Sequence, residues 1–427
     1  MVTRYRHVVG RHPGFALVTA ATVALLLCWL PVDFWLRQHD LVTPFGFNDF
    51  GAYVQAVDRW EAGEVIYERD DVGGFHGSFL YPPVALLAYY PFTTFDFYTG
   101  ATLFGATSLV LLWAGLDAVV RALGYRPSLG ERLLALPALF AFQPALRDFK
   151  WAQTATLLAA VLCFAFYAQE LGTHPGRSRP FRFASGALTT LASAFKLFFA
   201  TSGAHLLRDR NRLAGALATA VALLVASVAL FGLENHATYL EVLAWGKGWG
   251  ESLPPSLWDT SAAYRPLYVA GSWGLPLRVL GVVAVVGLAL AGRRSPGRVA
   301  RWSTFALGVA AIPLLAPRAD IHDLVVLLLP AVLLVAVEFE VPDGRPWVPV
   351  LAISLVHAHR YVIEVVIHPP SWLPAGGYLA ANAAWFQPAM WATFVLVGLA
   401  AYRLAQASDI AAAVTQFASH DEDPSRL

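Results

Sequence analysis

Charge is scarce in this chain. Asp, Glu, Lys and Arg make up 14% of its 427 residues, where a soluble protein carries about 25%. Lysine is nearly absent: Lys150, Lys196 and Lys247 are the whole set, and arginine supplies the rest of the positive charge. The net charge of +1 points to no partner by itself, and nucleic acid is not expected as one. Cysteine is just as rare. Cys28 and Cys163 both lie inside apolar runs and read as small buried hydrophobes, so neither a disulfide nor a metal centre is expected. A Walker motif, a Gly-rich dinucleotide loop and an HExxH sequence are all missing. That excludes a nucleotide-binding cassette, and with it a pump driven by ATP hydrolysis on this chain. No cofactor is expected.

What is present is apolar sequence, 57% of the residues. Runs near the ~20 residues needed to cross a bilayer recur along the whole length. The expected fold is therefore an all-α polytopic membrane protein forming one integral domain over 1–427. The first run, Phe15 to Leu36, follows a basic flank of Arg4, Arg6 and Arg11. It is too long for a signal-peptide core and no small-residue cleavage site follows it, so it reads as a retained span with a cytoplasmic N-terminus.

Basic clusters mark expected cytoplasmic turns: Arg121/Arg126/Arg132, Arg177/Arg179/Arg182, Arg208/Arg210/Arg212 and Arg293/Arg294/Arg298. Between Arg132 and Arg177 the chain must leave and return, which suits helices near 132–146 and 152–170 with Arg147 to Trp151 as an outer loop. Between Arg182 and Arg208 it must do so again within a short stretch. Two short helices meeting near Lys196 satisfy this, since broken helices are tolerated where they line a cavity. Lys196 is then expected near the floor of an outward-opening cavity.

Further spans are expected near 213–232, 275–292, 300–316, 321–338, 347–366 and 378–404. The proline-flanked run 81–95 reads as partial or re-entrant. The total is about twelve crossings, with outer segments at 37–80 and 233–274 and a cytoplasmic tail at 405–427.

The first outer segment begins with Phe45-Gly46-Phe47-Asn48-Asp49-Phe50. Phe50, Tyr53, Val54 and Val57 then recur at helical spacing, an amphipathic pattern suited to the outer membrane surface. Asn48 suits an N-cap and Gly63 a stop. On local grounds Asp49 is an acid in a first helical turn, favoured by the dipole. Next come Gly63-x-x-x-Tyr67 and Tyr81-Pro82-Pro83.

This compound pattern resembles the GT-C class of polyprenyl-phosphate-sugar-dependent glycosyltransferases. It is most similar to family 87, which includes mycobacterial α-mannosyltransferases acting on phosphatidylinositol mannosides. Ser193 to Ala200, "SAFKLFFA", resembles the family's lysine-bearing broken helix without its usual proline. "WAQTATLL", Trp151 to Leu158, resembles a Gly-Gln-x-Asn segment in which Ala152 replaces the Gly and Gln153 is kept. Ala316 to Ala331 resembles an outer loop and helix that carries histidine, here His322.

The resemblance implies a GT-C fold and an outward-facing active site in which Asp49 is the general base. Such an enzyme transfers a sugar, mannose foremost, from a polyprenyl-phosphate donor to a lipid or glycan acceptor by a single inverting displacement. It needs no metal. Cations must meet charge developing on the departing phosphate. Lys196, Arg318 and His322 are the first candidates, with Arg265 and Lys150 behind them. Asn48, Tyr81, Gln153, Arg265 and Trp258 are candidates for substrate contact.

Each candidate also has a plainer reading. Lys196 suits a snorkelling residue, Arg318 a loop charge and His322 a helix-start polar residue. Tyr81 suits a helix entry, and Trp258 with Trp245 and Trp249 an interfacial belt. A transporter or lipid flippase is the competing class, because broken helices and an intramembrane lysine suit it too; no internal symmetry between two halves supports it.

Overall fold

The structure is a computed structural model and describes residues 12–39, 45–174, 176, 178–246, 253–259, 263–295 and 297–408. Arg4, Arg6, Arg11, Arg177, Trp249 and residues 409–427 of the tail lie outside the described residues.

The described residues form helices and no strands. They begin with α1 (Pro13–Gln38) and α2 (Asn48–Glu61), then a 3₁₀ segment Pro83–Ala88 and the one-turn α3 (Tyr90–Thr93). The long α4 (Phe97–Ala122) leads to α5 (Leu129–Ala141), the short α6 (Gln143–Trp151) and α7 (Ala155–Leu171). Next are α8 (Ser178–Phe195), a 3₁₀ segment Leu197–Arg208 and α9 (Arg210–Gly246), which kinks at Gly232. The chain closes with α10 (Gly274–Ala291), α11 (Arg298–Leu315), a 3₁₀ segment Ile321–Leu327, α12 (Leu328–Glu340), α13 (Trp347–Ile367), α14 (Gly376–Ala381) and α15 (Pro388–Ala407).

Among these residues seven helices are long and apolar enough to cross a membrane: Pro13–Gln38, Phe97–Ala122, Arg210–Gly246, Tyr268–Arg294, Ile321–Glu340, Trp347–Ile367 and Ala383–Ala407. The protein is a multi-pass membrane protein. The other expected crossings fall on shorter or more polar elements, α5, α7, α8, α11 and the Leu197–Arg208 segment. The 81–95 run holds only the short 3₁₀ segment and α3, so no crossing is built there.

The core is made by α7, α11, α12 and α15 together with parts of α4 and α13. Helix α11 is buried without a break from Trp302 to Leu314. The helices α8 and α9 cross in very close contact. A Cβ on Gly186 would sit 1.9 Å from the Arg212 carbonyl oxygen, and one on Gly215 would sit 2.1 Å from that of Phe183. Small residues at such a crossing let two backbones touch.

Several sequence-based placements change. Arg147 to Trp151 is not a loop: it is the second half of α6, and Arg147, Asp148 and Lys150 are buried there. Pro144 at its start fixes a helical φ and removes an N–H that would have no partner. The segment from 233 is helical through Gly246. The break at Lys196 is present, but its arms are unequal, an 18-residue α-helix and a 12-residue 3₁₀ segment. Lys196 itself is extended, with φ −129° and ψ 106°. Cys28 is exposed on the outside of the bundle, whereas Cys163 is buried, and both are free thiols.

Candidate active site

Asp49 sits where α2 starts, and that start is set by backbone geometry. Phe47 is left-handed (φ 48°, ψ 35°) and donates its N–H to the Lys150 carbonyl at 3.0 Å. This ties the Phe45–Asp49 stretch to α6. Asn48 is the first helical residue rather than the cap; no side chain caps this helix. The exposed Asn48 side chain instead lies over Gly46, where its Oδ1 would be 2.7 Å from an added Cβ.

Gly63 does end the helix. It is left-handed (φ 75°), its N–H reaches the Trp60 carbonyl and that of Glu64 reaches Arg59, a Schellman closure. The apolar face of α2 is covered by protein rather than left free for lipid: Phe50 is buried against Phe97, and Tyr53 against Phe79, Tyr81 and Tyr89.

The helix start presents the half-buried Asp49 to Gln153. The Gln153 amide Nε2 donates to Asp49 Oδ2, and its Oε1 accepts from the Tyr81 hydroxyl at 2.8 Å. Thr154 Oγ1 approaches the same hydroxyl at 3.4 Å. The Tyr81 backbone is held by Tyr67, whose hydroxyl donates to the Tyr81 carbonyl at 2.8 Å. Gln153 owes its position to the end of α6. Ala152 is left-handed (φ 55°), and the Asp148 carboxylate accepts from the N–H groups of Ala155 and Thr156, fixing the start of α7. The left-handed geometry explains why glycine suits the position that Ala152 fills.

A second group of charges stands beside the first. Lys196 Nζ is 2.6 Å from Asp323 Oδ1 and 5.8 Å from the centre of the Tyr81 ring. His322 Nε2 is 3.7 Å from Asp323 Oδ2, which also accepts from the Asp320 N–H at 3.0 Å. Asp320 in turn lies 3.4 Å from Arg318 and 3.7 Å from Arg265. Arg147, buried in α6, lies over the Trp151 ring at 4.0 Å.

These groups act on Asp49 electrostatically. Burial pushes its carboxyl up to about 6, against the opposing pull of the Gln153 hydrogen bond, Lys196 and Arg147, while Asp320 adds to the rise. Burial also raises the Tyr81 phenol. Lys150 is a poor permanent cation, since burial and the nearby guanidiniums of Arg37, Arg147 and Arg360 push it down to about 7.

The sequence profile of Glycosyltransferase family 87 matches residues 79–317. The chain belongs to Glycosyltransferase family 87. This settles the class as a glycosyltransferase rather than a transporter. The family 87 match contains Tyr81, Gln153, Lys196, Trp258 and Arg265, while Asn48, Asp49, Arg318 and His322 lie outside it. No curated protein matches this family 87 chain. Among solved structures, ArnT from Cupriavidus metallidurans bound to undecaprenyl phosphate is similar over 92% of this chain and 77% of that one, with 18% identity and a TM-score of 0.41.

The family 87 fold brings Asp49, Tyr81, Gln153, Lys196, Arg265, Arg318 and His322 into one neighbourhood. Trp258 is not part of it. Its indole N–H donates to the Leu253 carbonyl at 2.8 Å and it packs with Tyr268, Ile363 and Val366 in a separate cluster. That makes it a core residue of the 253–259 stretch. Arg147 stands beside this group although its charge reads as loop in the sequence. Nothing local to Asp323 signals that it binds Lys196, 127 residues away. Among the described residues no group of three or more His, Cys, Asp or Glu is arranged to hold a metal.

Proposed function

We propose that this family 87 enzyme transfers a sugar, mannose foremost, from a polyprenyl-phosphate donor to a lipid or glycan hydroxyl at the outer face of the membrane. The observation that supports it is the pairing of a fixed carboxylate, Asp49 held by Gln153, which Tyr81 holds in turn, with a neighbouring set of polar and cationic groups, Lys196, His322, Arg318 and Arg265. The missing nucleotide motifs fit a donor whose leaving group is a lipid phosphate.

In this reading the acceptor oxygen attacks the anomeric carbon as its proton passes to Asp49. The bond from that carbon to the phosphate oxygen breaks, and its electron pair leaves with the phosphate. Asp49 is mostly ionised at neutral pH with its carboxyl at about 6, and so can accept a proton. Lys196 and its neighbours stabilise the charge gathering on the phosphate. Asp323 holds Lys196 in place and offsets part of its charge. One base opposite one leaving group gives inversion, so a β-linked donor yields an α-linked product.

The test is incubation of membranes bearing the enzyme with radiolabelled polyprenyl-phosphate mannose and a panel of other polyprenyl-phosphate sugars, followed by lipid and glycan analysis. Label from the mannose donor in a product is the expected result. Label from none of the panel overturns the donor class, and label only from another sugar overturns mannose.

A further inference from the structure

At the opposite end of the Leu197–Arg208 segment from Lys196, the fold joins two arginine clusters far apart in sequence. Arg210 at the start of α9 lines an open pocket of about 660 Å³ with Leu290 and Ala291 from the end of α10 and Arg293 and Arg294 from the turn that follows it. The lining holds no acid among the described residues. The neighbouring charges are engaged elsewhere. Asp209 binds Arg182 at 3.1 Å. Arg208 donates to the Gly292 carbonyl, to the Ser295 carbonyl at 2.8 Å and to Thr304 at 3.3 Å, which closes the end of α10 onto this corner. The three remaining guanidiniums surround one opening, a local excess of positive charge that draws an anion.

Apolar stripes lead away from that opening. Leu213, Leu217, Val221 and Leu224 are 40%, 60%, 62% and 60% exposed, and their spacing puts them on the face of α9 that carries Arg210. On α10, Leu290, Val286, Val283 and Val279 likewise share one face and are exposed. A basic mouth continued by two apolar rails is complementary to one kind of molecule, an amphiphile with an anionic head and hydrocarbon chains. The positive-inside rule assigns this end to the cytoplasmic side, where anionic phospholipids meet basic pockets between helices.

We propose that Arg210, Arg293 and Arg294 form a binding site for the phosphate-bearing headgroup of an anionic membrane phospholipid, whose chains lie along α9 and α10. The site lies apart from the Asp49 group and does not depend on the sugar donor. Each guanidinium near the membrane surface contributes about fivefold in affinity at low salt, so three give roughly a hundredfold preference for a charged over a zwitterionic lipid.

The test uses the purified full chain and native mass spectrometry, titrating dioleoylphosphatidylglycerol against dioleoylphosphatidylcholine. Arg210→Gln/Arg293→Gln/Arg294→Gln is the variant, with Arg293→Gln/Arg294→Gln read the same way should the triple variant not fold. The expected result is a phosphatidylglycerol preference in the wild type that shrinks at high salt and is lost in the variant. Equal retention of both lipids by the wild type overturns the proposal, as does an undiminished preference in the variant. Displacement of phosphatidylglycerol by millimolar inorganic phosphate would show a free-anion site and also overturn it.

Discussion

Gln153→Leu isolates the link between Asp49 and its surroundings. The substitution keeps a side chain of similar size and removes the amide that donates to Asp49 Oδ2 and accepts from Tyr81. Burial holds the Asp49 carboxyl at about 6, and the Gln153 hydrogen bond is the largest influence pulling it down. A hydrogen bond to a charged group is worth about 1.5–3 kcal/mol, which at 1.36 kcal/mol per pH unit is a rise of about one to two units. The sign follows directly: the base works ionised, so a higher pKa moves the acid limb of activity to higher pH. At pH 7 the ionised fraction falls from about nine-tenths to between about a tenth and a half, a two- to tenfold loss of rate. At pH 9 most of it returns. The assay is kcat/KM against pH with a lipid-phosphate sugar donor, beside a Tyr81→Phe variant that loses only the outer hydroxyl. An acid limb that stays in place would refute the reasoning, and so would a loss of rate equal at every pH.

Asp49→Ala is expected to abolish transfer while the purified protein keeps its thermal unfolding profile; full turnover in that variant ends its assignment as base. Lys196→Ala should cost about 3 kcal/mol of stability, because it leaves the buried Asp323 without its lysine counter-charge, with only the Asp320 N–H and His322 beside it. The double variant Lys196→Met/Asp323→Leu should recover most of that stability yet stay inactive, and recovered activity would place the phosphate site elsewhere. Ala152→Gly removes the strain of a left-handed alanine, worth about 1 kcal/mol before the entropy of glycine is deducted. A slightly raised melting temperature with unchanged kcat is the expected outcome, and a lowered one contradicts it.

Where the sequence misled, the cause was a local signal overridden from a distance. Arg147, Asp148 and Lys150 look like an exposed loop because three charges stand within four residues. They are buried because Pro144 starts a helix there, the Asp148 carboxylate caps α7, and Asp33, Arg37 and Arg360 of other helices gather around that helix. Asn48 looks like a cap because caps are recognised by residue type, whereas Phe47 in a left-handed turn sets that helix start. Trp258 reads as a surface aromatic, and α13 and the Ala383–Ala384 turn cover it.

The sequence by itself determined the membrane class, the break at Lys196, the stop at Gly63 and the family, whose match takes in Tyr81. Those features depend on composition, periodicity and neighbouring residue types, which act over a few residues. Only the tertiary structure decided the partners of the chemistry. Gln153 reaches Asp49 from 104 residues away, and Asp323 reaches Lys196 from 127 residues away. No local pattern encodes such pairs. They arise because Phe47 docks on the end of α6 and the Ile321–Leu327 segment packs on α6 and α7, and a buried charge in that interior must find an opposite charge or a hydrogen bond.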